Sequence, residues 1–173
     1  KILACELSSY QLEEPGDLKL DAGIFLNLAP DHLNRYASVE EYGLAKWNIA
    51  TLLRPGAPLM IADALTEGKT SFWQGRHPLR EFKNPLAVID TEQLISPHFR
   101  ISGQNLESSA GDLLADLSKA AIAGRHNYSN LLFALEAVRV FQLQWENLAA
   151  AIRGIEPLPH RFELIPQSVF PQI

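Results

Sequence analysis

Asp21-Ala22-Gly23-Ile24-Phe25-Leu26-Asn27-Leu28 is a short, mostly apolar run, and together with the helix and strand after it this run decides the fold. Strands buried on both faces of a parallel sheet read as runs rather than as alternations. Ser38, with Glu41 three positions on, has the pattern of a capping box and opens a helix over residues 38–53. Pro55-Gly56 stops that helix, and Pro58-Leu59-Met60-Ile61-Ala62 reads as the next strand. Strand, helix and strand in this order form a crossover unit. The expected fold class is therefore α/β, a mostly parallel sheet flanked by helices.

Working outward, Ile2-Leu3-Ala4-Cys5 reads as a further buried strand ending at Glu6. Residues 63–120 are less regular, with short strands expected near Ser71–Trp73, Leu86–Ile89, Phe99–Ile101 and Asp112–Leu114. A second strong helix is expected over about residues 127–141, with Leu131, Leu132, Leu135 and Val138 inward, and a third over about 145–153. Glu156-Pro157-Leu158-Pro159 has the composition of a linker. The expected division is a domain over 1–155, then a linker and the start of a following domain over 156–173.

The chain has 173 residues, 47% hydrophobic and 20% charged, with net charge −5. That suits one globular domain with a real core. No basic stripe exists to displace counterions from phosphates, so no nucleic-acid partner is expected. No apolar run approaches the ~20 residues that span a bilayer. The single cysteine, Cys5, excludes an intramolecular disulfide and every multi-cysteine zinc cage, which suits a reducing cytoplasm. No signal peptide is recognised. The chain starts at Lys1 inside an apolar run, and the expectation is a part of a longer protein.

Five stretches carry candidate chemistry. Lys46 falls within the expected apolar stripe Val39, Tyr42, Ile49 and Leu53, where an ammonium is costly unless it is paired, neutralised or modified. A neutral lysine amine takes up CO₂ to become an anionic carbamate able to hold a cation. The alternative is a lysine whose methylenes are buried while its amine reaches water. Glu6, Ser8 and Gln11 follow the first expected strand, where ligands bind in open α/β sheets. The alternative there is a turn whose serines cap a following segment. Asp31-His32 follows the second strand in the same way, so Glu6 and His32 are expected at one edge of the sheet. Imidazole and carboxylate are metal-type ligands; the alternative is a loop histidine bonded to backbone. Asn127 and Asn130 share a face at the start of the second helix, where amides can meet a nucleotide; the alternative is N-capping by Asn127. Arg161, after Pro159, suits a phosphate contact or a solvated hinge. Gly68-Lys69-Thr70 is not a phosphate loop, because Asp63 stands where its first glycine is required. A hydrolase built on Ser8, His32 and Asp31 is disfavoured, since no G-x-S-x-G elbow is present.

Together these stretches resemble the Mur ligases, ATP-dependent amide-forming enzymes of peptidoglycan precursor synthesis. The resemblance rests on Glu6 through Glu13, Asn27 through Tyr36, Ala45-Lys46, Gly124 through Asn130 and Leu158 through Glu163, in the family's order. The first and last of these favour the D-glutamate-adding branch. The resemblance implies that Glu6 binds Mg²⁺ between the ATP phosphates. It implies that His32 and a carbamylated Lys46 hold a second Mg²⁺. Ser8 and Gln11 would contact UDP-N-acetylmuramoyl-L-alanine, Asn127 and Asn130 would contact ATP, and Arg161 would reach its phosphates. It further implies a cytoplasmic monomer, a phosphate loop before Lys1 and a D-glutamate-binding domain after Ile173. Ala29-Pro30 and Asn34 depart from the family's usual Thr-Glu and Asp. A folylpolyglutamate-type ligase or a non-catalytic nucleotide-binding module are the rival readings.

Overall fold

The computed structural model describes residues 1–66, 73, 77–142 and 147–156. Its centre is a three-stranded parallel sheet in the order β1-β2-β3, formed by β1 (Gly23–Phe25), β2 (Leu59–Ala62) and β3 (Leu86–Ile89). Gly23 pairs with Leu59, and Leu59 in turn with Leu86. The central strand is buried throughout, as a strand covered on both faces must be. The crossover from β1 to β2 is helical, as the sequence predicts.

That crossover is not one continuous α-helix. After a short helix α1 (Ser9–Glu13) near the start of the chain, helix α2 (Val39–Trp47) passes into a 3₁₀ segment over Asn48–Leu52. Ser38 caps α2 by accepting from the Glu41 N–H at 3.1 Å, while the Glu41 carboxylate accepts from the N–H of Ala37. Tighter 3₁₀ winding rotates each later residue away from its α-helical position. The expected stripe is accordingly split: Tyr42 packs in the main core, and Leu53 packs in a separate cluster with Ala57 and Leu59. Val39 and Ile49 are only half-buried. At Gly43, α2 lies close against its neighbours. A Cβ there would lie 2.8 Å from Leu28 Cδ2 and 3.0 Å from the Trp73 ring.

Two other expectations are corrected. Ile2–Cys5 is not a strand, and Leu3 is 84% exposed. An apolar run of four makes a strand only where a ladder edge pairs with it and its faces are covered. Neither condition is met among the described residues. Trp73 is likewise not in a strand. Ser71 and Phe72 lie outside the described residues, as do Gly68-Lys69-Thr70 and the expected linker at Pro157-Leu158-Pro159.

Beyond β3 the chain builds an antiparallel sheet from β4 (Phe99–Ser102), β5 (Asn105–Ser108) and β6 (Leu113–Asp116). Strand β5 is not foreseen, because Asn-Leu-Glu-Ser has one apolar residue in four. Its signal is the turn: Ser102 pairs with Asn105 across Gly103-Gln104, and Gly103 has φ +59°. Helix α3 (Arg125–Arg139) packs against strands of both sheets, with Leu131, Leu132, Phe133 and Leu135 buried. Helix α4 (Leu148–Arg153) covers β6, with Ile152 buried. Among the described residues no helix is long and apolar enough to cross a membrane.

Candidate nucleotide cleft and histidine cluster

Three elements meet at the carboxyl edge of the parallel sheet. Leu26 and Asn27 follow β1, Thr91 follows β3, and Arg125, His126, Ser129, Asn130 and Phe133 come from the first turns of α3. They enclose a cleft of about 390 Å³, within the size range of small-molecule sites. Its lining mixes buried apolar walls (Phe133 is 1% exposed) with amide, hydroxyl and guanidinium groups. Helix α3 opens here at Gly124, which has φ +87° and offers no side-chain cap. The free N–H groups of an uncapped first turn favour anions. Arg125 Nη1 donates to Glu92 Oε2 at 3.0 Å across the rim.

A second constellation surrounds His32. Helix α1 is started by Ser8 and Gln11, which form a full capping box: Gln11 N–H donates to Ser8 Oγ at 3.3 Å and Ser8 N–H to Gln11 Oε1 at 2.9 Å. The His32 ring lies edge-on between Tyr10 of α1 (centroids 5.4 Å) and Tyr42 of α2 (5.7 Å). His32 itself has φ +52°, an uncommon conformation for a residue with a Cβ. Its N–H donates to Asp31 Oδ1 at 2.7 Å, and its Nε2 lies 3.5 Å from Asp31 Oδ2. Lys46 is half-buried, and its Nζ sits 5.1 Å from the centre of the same Tyr42 ring. That is the geometry of a lysine cation over an aromatic face. The expected mid-core ammonium is therefore replaced by an amine stabilised at the edge of the core.

Residues 1–138 match the family of the Mur ligase middle domain. The chain belongs to the Mur ligase middle domain family. It is 33% identical over 92% of its length to a UDP-N-acetylmuramoylalanine–D-glutamate ligase of Leptospira borgpetersenii. It is 34% identical over 92% to the protein of the same name from Nitrosospira multiformis, and 30% identical over 97% to that of Haemophilus influenzae. It covers 32%, 33% and 36% of these three relatives respectively, so the chain spans about a third of their length.

In this Mur ligase middle domain the sequence-derived candidates do not all meet in one site among the described residues. Asn130 lines the cleft, whereas the amide of Asn127 donates to the carbonyl of Ala123 at 2.8 Å. Asn127 is not the N-cap; Gly124 is. His32 and Lys46 converge on Tyr42. Glu6 is exposed on the segment leading to α1, with no hydrogen bond or ion pair to His32 among the described residues. The described residues contain no cluster of three or more His, Cys, Asp or Glu side chains able to hold a metal. Ser8 and Gln11 bond to each other, not to His32. Arg161 lies outside the described residues. Sequence reasoning misses Thr91, Asn27 and Arg125 as cleft residues. The positions directly after β1 and β3 are the signal that finds the first two.

The donor chemistry fits Mg²⁺ only in part. Magnesium takes oxygen ligands, and the amine of Lys46 is a cation as it stands. A carbamate on that amine would supply oxygens and reverse the charge beside Tyr42.

Proposed function

We propose that this chain is the nucleotide-handling part of an ATP-dependent ligase that joins D-glutamate to UDP-N-acetylmuramoyl-L-alanine in peptidoglycan precursor synthesis. The observation that carries the reading is the cleft at the carboxyl edge of the sheet, walled by the uncapped start of α3. The names of the relatives supply the substrates. ATP supplies the phosphoryl group that turns a carboxylate into an acyl phosphate, and Mg²⁺ supplies positive charge beside it.

The chain's own residues act by holding and orienting. Asn130 and Arg125 take the nucleotide at the start of α3, and Asn127 joins them by exchanging its bond to Ala123. His32 and a carbamylated Lys46, which both contact Tyr42, would hold one Mg²⁺. Glu6 would hold the other. Arg161 contacts the phosphates. Ser8 and Gln11 face the muramoyl substrate from the cap of α1.

The test is an assay of the full-length protein carrying this chain, with UDP-N-acetylmuramoyl-L-alanine, ATP and each of a panel of amino acids. Phosphate release that needs both the nucleotide sugar and D-glutamate is expected. Release with another acceptor, or with a folate substrate, would assign the chain to a different ligase. ATP binding without any release would leave it a binding module.

A further inference from the structure

The His32 cluster is held from outside by a residue that touches neither the imidazole nor the cleft. Glu13, the last residue of α1, accepts hydrogen bonds from both the Arg35 guanidinium and the Tyr36 hydroxyl. These two residues have a second duty. Their backbone N–H groups, at 2.9 and 3.1 Å, both donate to the carbonyl of His32. One carboxylate thus grips by their side chains the same two residues that grip His32 by their backbone.

We propose that Glu13 is a positioning residue, which locks the 32–36 turn onto α1 and so fixes the His32 imidazole between Tyr10 and Tyr42. Three features support it. First, α1 has five residues, too few to hold itself. Its far end is tied down by Glu13 on one side and by Asn48 Nδ2, donating to the Leu12 carbonyl at 3.0 Å, on the other. Second, the φ of +52° at His32 persists only where surrounding bonds over-determine it. The two bonds to its carbonyl are those Glu13 secures. Third, Arg35 also lies over the Tyr10 ring at 4.9 Å, so the latch and one wall of the histidine slot move together. Consistent with this, the Arg35 and Tyr36 hydrogen bonds hold the Glu13 carboxyl below its ordinary range. Tyr36 is 4% exposed, and burial and then Glu13 push its hydroxyl up.

The inference rests on the reading of His32 as a site residue, and its test separates the two. Full-length protein labelled with ¹³C at histidine is compared as wild type, Glu13→Ala and Tyr36→Phe, with His32→Gln to assign the signal. The expected result for Glu13→Ala is loss of the His32 contacts to Tyr10 and Tyr42. A fall in kcat of roughly 10- to 100-fold should accompany it, with KM for ATP and the muramoyl substrate within about 2-fold, as expected when orientation rather than binding is lost. Tyr36→Phe removes one of the two bonds, keeps the ring, and should show the same pattern at smaller amplitude; it serves if Glu13→Ala fails to fold. A lowered melting temperature with the His32 contacts and kcat unchanged would make Glu13 a structural staple and overturn the proposal. Lost contacts with unchanged kcat would leave the latch standing and remove His32 from the reaction.

Discussion

Lys46 carries two readings that differ in the sign of its charge. Above the Tyr42 ring it behaves as a cation; as a carbamate it is an anion and a ligand. Lys46→Ala in the full-length enzyme should abolish most activity. Lys46→Arg should not restore it, because a guanidinium keeps its positive charge and cannot form a carbamate. Acetate added to Lys46→Ala should restore part of the rate by filling the vacated anionic position. Steady-state phosphate release measures all three, and a fully active Lys46→Arg enzyme would sink the carbamate. Glu13 gives a pH dependence at the same scale. Its folded-state pKa lies below its ordinary unfolded value. A depressed carboxyl contributes stability above the unfolded pKa and loses it as pH falls through the folded one. The melting-temperature gap between wild type and Glu13→Gln should therefore be constant near neutrality and close as pH falls through the lowered folded-state pKa. A gap that widens on acidification would contradict the sign.

At the scale of elements, α3 is the part that joins the two sheets, and one buried polar group pins it. Glu136 is 5% exposed. Its Oε1 accepts from Ser96 Oγ at 2.7 Å and His98 N–H at 2.9 Å, and its Oε2 lies 2.8 Å from His98 Nδ1. These bonds tie the last turn of α3 to the connection between β3 and β4. Removing the carboxylate leaves a buried hydroxyl and a backbone N–H without these partners. Glu136→Ala should therefore cost about 2–4 kcal/mol in denaturant unfolding, whereas Glu136→Gln, which keeps an acceptor, should cost less. Equal losses would show that charge, not hydrogen bonding, holds the helix. Nothing in the sequence points to Glu136. A glutamate within a helix reads as a solvated face, and Ser96-Pro97-His98 reads as a polar turn. The buried face of α3 was legible because Leu131, Leu132 and Leu135 recur at helical spacing.

For the molecule as a whole, the 173 residues contain no G-x-x-x-x-G-K-[ST] sequence. Phosphoryl transfer depends on the positioning such a loop provides. The chain by itself should thus form no ligation product while retaining weak ATP binding in the cleft, and Asn130→Ala should weaken that binding further in calorimetry. Product formed by the chain alone would overturn this. By itself the sequence determined the α/β class, β1, β2 and β3, the start of α2 at Ser38 and the family. Each of these rests on local signals: apolar runs, a cap, and motifs whose order is read along one dimension. Only the tertiary structure decided that Ile2–Cys5 lies outside the sheet, that α2 tightens into a 3₁₀ segment, and that Lys46 meets an aromatic face. It also decided which groups face the cleft, separating Asn130 from Asn127, and brought Glu13 to Arg35 and Tyr36 across 22 and 23 residues. Those outcomes depend on ladder pairing, burial and hydrogen-bond partners distant in sequence, which no window of neighbouring residues contains.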